Sequence, residues 1–103
     1  MNSHNVRFAP KALADLQGIV DYWRTHRPAA PDMVADELAS AIVLLSDAPH
    51  AGGVYGALKG HIIRRLLLVD CQVHLYYRRS VDGGTVEVLR VWGTRRGKGP
   101  RVL

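Results

Sequence analysis

HIIRRLLLVDCQVHLYYRRSVDGGTVEVLRVWGTRR, residues 61–96, holds three runs rich in Val, Ile, Leu and Tyr, each closed by turn residues. Such side chains fit a pleated, half-buried surface, so HIIRRLLLV, QVHLYYRR and TVEVLRVW read as consecutive antiparallel strands. Between the second and third runs, Asp82-Gly83 offers residues that tolerate positive φ, which predicts a two-residue hairpin turn. Arginines punctuate the strands: Arg64, Arg65, Arg78, Arg79 and Arg90, then Arg95 and Arg96. A small sheet with that many cations beside its apolar positions points to an anionic partner.

Alternation places Val73, Leu75 and Tyr77 on one face of the middle strand, and Gln72, His74, Tyr76 and Arg78 on the other. In the last strand Val86, Val88, Arg90 and Trp92 oppose Thr85, Glu87, Leu89 and Val91. Apolar residues stand on both faces. One face therefore packs on helices, and the other is left for a partner.

Upstream, residues 5–9 form a short alternating segment that suits an edge or joining strand. Pro10 fits the first position of a helix, where a missing N–H costs nothing. Leu13, Leu16, Ile19, Val20 and Trp23 then recur at helical spacing as one apolar stripe. Gly18 weakens this helix by roughly 1 kcal/mol relative to Ala, so it is expected where another backbone comes close. A second helix is expected from Pro31 to about Asp47, with Asp32, Asp36 and Glu37 near its positive end. Val34, Leu38, Ala41, Ile42 and Leu45 make its stripe, and the two helices form an antiparallel hairpin. Leu16, Val20, Trp23, Leu38, Ile42 and Leu45 are expected to pack on Leu75, Leu89 and Val91. Residues 50–60 carry four glycines and read as an irregular loop.

The whole chain, residues 1–103, is one α+β domain by length. No apolar run approaches the ~20 residues of a membrane span, and MNSHNVRFAPK lacks a secretory core. A lone Cys71 excludes an internal disulfide and fits a cytoplasmic setting. The net charge of +5 divides into −1 for residues 1–60 and +6 for residues 61–103. All the excess lies in the strands and tail, which suits an acidic protein partner or nucleic acid. The tail carries Arg95, Arg96, Lys98 and Arg101, and closes on Val102-Leu103, which is expected to anchor it.

The five histidines fall in no metal-binding spacing and Cys71 has no second cysteine, so the sequence calls for no metal and no cofactor. Serines sit in no nucleophile context. RNA cleavage through its own 2′-hydroxyl remains chemically open, because it needs only a base, an acid and cations for the phosphate. His61 or His74 with Arg64, Arg65, Arg78 or Arg79 are the candidates for it. The competing reading has these arginines binding a protein.

The order of these segments resembles the RelE/ParE superfamily of bacterial toxins. The likeness rests on ALADLQGIVDYW (residues 12–23), LLSDAPHAGG (44–53), HIIRRLLLVDCQVHLYYR (61–78) and VEVLRVWGTRR (86–96). The resemblance implies a short N-terminal strand, a helical hairpin, a three-stranded antiparallel meander and a basic tail. It also implies the toxin of a type II toxin–antitoxin module. ParE-like members inhibit DNA gyrase by binding, whereas RelE-like members cut messenger RNA on the ribosome. In a RelE-like ribonuclease Lys59, Arg65, His74 and Arg78 would fill the catalytic places, but residues 92–96 hold no tyrosine there. Gly93 also stands where many ParE-like members have His. The likeness is therefore to the ParE branch, with Arg90, Trp92, Arg95, Arg96, Lys98 and Arg101 meeting the target. A ParD-like antitoxin with an acidic amphipathic segment would meet Arg64, Tyr76, Arg78 and Arg79. A non-toxic nucleic-acid-binding domain is the third reading, and no membrane partner is expected.

Overall fold

The three expected strands span His61–Leu68, Val73–Arg79 and Thr85–Gly93, but two more join them. The computed structural model describes residues 4–30 and 32–101. Pro31, expected to open the second helix, and Val102-Leu103, expected to anchor the tail, lie outside the described residues. In chain order the elements are β1 (Asn5–Phe8), α1 (Pro10–His26), α2 (Met33–Asp47), β2 (Gly53–Leu58), β3 (His61–Leu68), β4 (Val73–Arg79) and β5 (Thr85–Gly93). A 3-10 turn, Thr94–Arg96, follows. The sheet order is β1-β5-β4-β3-β2. Four consecutive strands thus form the antiparallel meander, and β1 closes it by pairing parallel to β5.

Two turn expectations are corrected. The Gly-rich residues 50–60 are no loop throughout, because β2 occupies Gly53–Leu58 and pairs with β3. The two-residue hairpin turn lies there, at Lys59-Gly60, with φ of 51° and 81°. That pair of positive φ values matches the twist of the flanking strands. Asp82-Gly83 instead belongs to a five-residue connection, residues 80–84. There Asp82 accepts from the Ser80 hydroxyl and the Gly84 N–H, and holds the loop with its side chain.

Gly52, just before β2, shows what its glycines permit. Its N–H donates to the Tyr77 hydroxyl at 2.8 Å, and a Cβ there would come within 2.5 Å of the Arg65 carbonyl oxygen. Only glycine lets the chain enter β2 that close to its neighbour.

The core lies between one sheet face and the helices. Ala12 of α1 and Val34, Ala41 and Leu45 of α2 pack with Leu75, Tyr77, Val86, Val88 and Val91. Leu16, Val20, Trp23 and Leu38 are half-buried against this cluster, as expected of the stripes. Leu13 departs from its stripe and is 53% exposed. Leu89 departs as well: Tyr76 pairs with Arg90 but Tyr77 pairs with Val88, so Leu89 is the extra residue of a β-bulge. The bulge shifts the alternation by one. Val86, Val88 and Val91 consequently all face the core, which strict period-two reading cannot produce.

Glu37 ties α2 to the β3–β4 turn. Its carboxylate accepts from the N–H groups of Asp70 and Cys71 at 2.8 and 2.9 Å, and from the Cys71 thiol. Burial raises this carboxyl, but the three hydrogen bonds outweigh it and hold the group below its ordinary range. The same burial and the facing carboxylate push the Cys71 thiol up to about 12, so it is no nucleophile at neutral pH. Glu37→Ala is expected to cost about 2 kcal/mol, the loss of charge-assisted bonds to partly buried donors, measured by urea unfolding. The contribution is present at neutral pH. It fades as pH falls through the depressed folded pKa.

Candidate partner-binding surface

The face of the sheet opposite the helices gathers most of the cations expected to act. By register it presents Arg7 from β1, Glu87 and Trp92 from β5, His74, Tyr76 and Arg78 from β4, and Arg65 from β3. Tyr55, at the β-bulge in β2, joins them. Its ring meets Tyr76 edge-on at 4.8 Å, and Tyr76 meets His74 at 5.9 Å. Arg65 lies over Tyr55 at 5.3 Å, and Arg90 and Arg96 lie over Trp92 at 4.9 and 3.9 Å. Guanidinium groups held against ring faces keep their charge and lose some of their freedom. Such groups suit carboxylates and phosphates on a large partner.

The tail folds back over this face. Trp92 Nε1 donates to the Lys98 carbonyl at 2.6 Å. Gly99 lies against the Tyr55 and Tyr76 hydroxyls, and Pro100 is buried. Tyr76, at 2% exposure, is accordingly not open to a partner. Tyr55 carries no signal in the sequence, because its Gly-rich stretch lacks period-two patterning. The fold-back carries none either, because its contacts are mostly to tail backbone.

Arg90 has a different neighbourhood from the one expected. Beyond Val88, β5 has lost β1 as a neighbour, because the chain turns into α1 at Pro10. Asp15 of α1 fills the vacant edge, accepting the Val91 N–H at 3.0 Å and both Arg90 Nε and Nη2 at 2.7 and 2.9 Å. The side chains are only 16% and 12% exposed. Arg90 therefore seals a sheet edge, and presents only its flank to Trp92.

Of the residues expected of a ribonuclease, Arg65, His74 and Arg78 share this face by register, and Lys59 stands apart from them. Lys59 sits at the tip of the β2–β3 hairpin, and from His61 to Arg65 the strand runs about 13 Å. Arg78 donates to Glu87 at 3.1 and 3.2 Å, and Glu87 also takes Arg7. His74 is kept below its ordinary pKa by burial and by the charge of Arg65, so its imidazole is neutral at pH 7. It can accept a proton. Among the residues expected to meet an antitoxin, Arg64 donates to the Gly52 carbonyl and Arg79 to the Gly83 carbonyl. By register both lie on the helix side of the sheet, away from Tyr76 and Arg78. Arg95, Arg96, Lys98 and Arg101 are exposed.

Among the described residues no helix is long and apolar enough to cross a membrane, and no group of His, Cys, Asp or Glu is placed to hold a metal ion. No curated protein matches the sequence. The fold is similar to a chain of the chromosomal ParDE toxin–antitoxin system from P. aeruginosa, with a TM-score of 0.69 and 19% identity over 90% of this chain and 98% of that one. It is similar also to a chain of the RelBE2 toxin–antitoxin complex from Mycobacterium tuberculosis, with a TM-score of 0.55 and 24% identity over 88% and 98%. The intact E. coli RelBE toxin–antitoxin complex gives a TM-score of 0.51 and 19% identity over 91% and 100%. These likenesses establish the fold. The sequence itself matches the family model described as the ParE toxin of the type II toxin–antitoxin system parDE over residues 6–97. A match across nearly the whole domain places the chain in that family: it is a member of the ParE toxins of type II toxin–antitoxin systems.

Proposed function

We propose that this chain arrests bacterial growth by binding DNA gyrase through the helix-free face of its sheet, and that an antitoxin with an acidic, amphipathic segment neutralises it. The observation that carries this reading is the face itself. It holds arginines against aromatic rings beside a tail that carries further cations. Such a surface suits recognition of a large anionic partner. Lys98 and Arg101 of the tail, with Arg65, Trp92 and Arg96, provide the contacts; Arg90 contributes through the ring it supports. Family membership supports the toxin role, and the partnered state of the similar solved proteins supports an antitoxin.

Inducing the chain alone and following plasmid topology tests the reading. Loss of negative supercoiling, with messenger RNA intact by primer extension, is the expected result. Cleaved messenger RNA with unchanged supercoiling would replace the gyrase reading with ribosome-dependent RNA cleavage.

A further inference from the structure

Two glycines of this chain answer opposite demands. Gly18 of α1, expected at a close backbone approach, is open: a Cβ there would meet nothing within 4 Å. Gly99 in the tail is the crowded one. A Cβ on it would stand 2.6 Å from the Tyr55 hydroxyl oxygen, 3.6 Å from Tyr55 Cζ and 3.8 Å from the Tyr76 hydroxyl. Its φ lies outside the left-handed region, so space alone asks for glycine. The Tyr55 ring has little room to swing aside, because Tyr76 meets it edge-on and Arg65 lies over its face. Beneath this contact is a second, smaller core. Ile63 shares the helix-free face with Arg65 by alternation. Ile63 and Tyr76 are 0% and 2% exposed, yet neither belongs to the cluster under the helices. Pro100, next to Gly99, is buried too.

Little else holds the segment. Gly97 turns it with a φ of 74°, and its one hydrogen bond to the sheet among the described residues runs from Trp92 Nε1 to the Lys98 carbonyl. Lys98 and Arg101 stay exposed and form no ion pair among the described residues. We infer that residues 97–101 are a strap keyed into the sheet by Gly99 against Tyr55, and that the closed strap is the form in which Lys98 and Arg101 meet the target. The second half of this rests on the toxin reading above. A free tail is ordered only at the moment of binding, which subtracts from affinity, whereas a seated one has met that cost in folding. Closed, the strap stands Lys98 with Arg65 and Arg96 on one face, so their attraction for a carboxylate-bearing partner adds. Tyr55 and Gly99 are thus positioning residues, which act by setting where the two cations stand.

The test introduces Gly99→Ala into two backgrounds, the wild type and Tyr55→Phe, and treats the four chains as a double-mutant cycle. Tyr55→Phe deletes the one atom that the added Cβ strikes and leaves Cζ at ordinary contact distance. Strap closure is read from the rate at which tetranitromethane nitrates Tyr76, located by mass spectrometry, and killing from cells surviving induction at matched expression. In the wild-type background Gly99→Ala is expected to speed nitration of Tyr76 and to raise survival, each at least about tenfold, with all charges retained. In the Tyr55→Phe background the same substitution is expected to change neither. Unchanged nitration, or an equal effect in both backgrounds, overturns the keyed strap. Faster nitration with undiminished killing overturns the role of the closed state, and stronger killing would make the strap a cover instead. A wild-type chain that fails to arrest growth sinks the toxin reading and the role that rests on it, while the nitration series still decides the strap.

Discussion

Arg65→Glu combined with Lys98→Glu is expected to abolish growth inhibition while leaving the protein folded. Both residues are exposed and neither forms an ion pair among the described residues, so the fold has little stake in their charge. Arg65 loses its contact with the Tyr55 ring, worth about 0.5–1 kcal/mol at an exposed site. Against a target that presents carboxylates, each reversal replaces attraction with like-charge repulsion, which costs several kcal/mol across an interface. Two together amount to about 4 kcal/mol or more, roughly a thousandfold in affinity. The measurement is a count of surviving cells after induction without antitoxin, at matched expression, alongside melting curves of the purified chains. A double variant that melts normally and kills as well as the wild type would move the effector site off this face.

Tyr77→Ala is expected to remove about 3–5 kcal/mol of stability, the range for truncating a buried aromatic side chain. Tyr77 is fully buried in the cluster that joins the sheet to the helices. Its hydroxyl also accepts the Gly52 N–H, a buried backbone donor left without a partner by the truncation. Burial raises the phenol above its ordinary pKa, ahead of the opposing effects of Gly52 and Arg64, so the neutral form is favoured in the core. Domains of this size hold only about 5–15 kcal/mol, so the loss is a large share of the whole. Tyr77→Phe separates the two contributions. It keeps the ring and forfeits the hydrogen bond, for an expected cost of about 1–3 kcal/mol. Urea unfolding of all three proteins gives the ordering wild type, Phe, Ala. An alanine variant with an unchanged midpoint would refute the place given to Tyr77 in the core.

The amino-acid sequence determined by itself what depends on near neighbours. Period-two runs marked β3, β4 and β5, and 3.6-residue stripes marked α1 and α2, because both signals repeat within a few residues. It also located the excess charge in the second half of the chain, from which Arg65, Trp92, Arg96 and Lys98 come together on one face. The tertiary structure decided whatever depends on residues far apart. β2 is a strand because β3 pairs with it and because Gly52 slips beneath Tyr77, not because its own residues alternate. The bulge at Leu89 turns Val91 inward, and Asp15, 75 residues upstream, claims Arg90 because β1 ends too soon to cover that edge. The tail closes over Tyr55 and Tyr76 through the Lys98 carbonyl and Gly99, groups with no signature in composition or spacing. A charge becomes free or committed only when the fold supplies its partner, which is why the sequence revealed the arginines and the structure alone revealed which of them stand open.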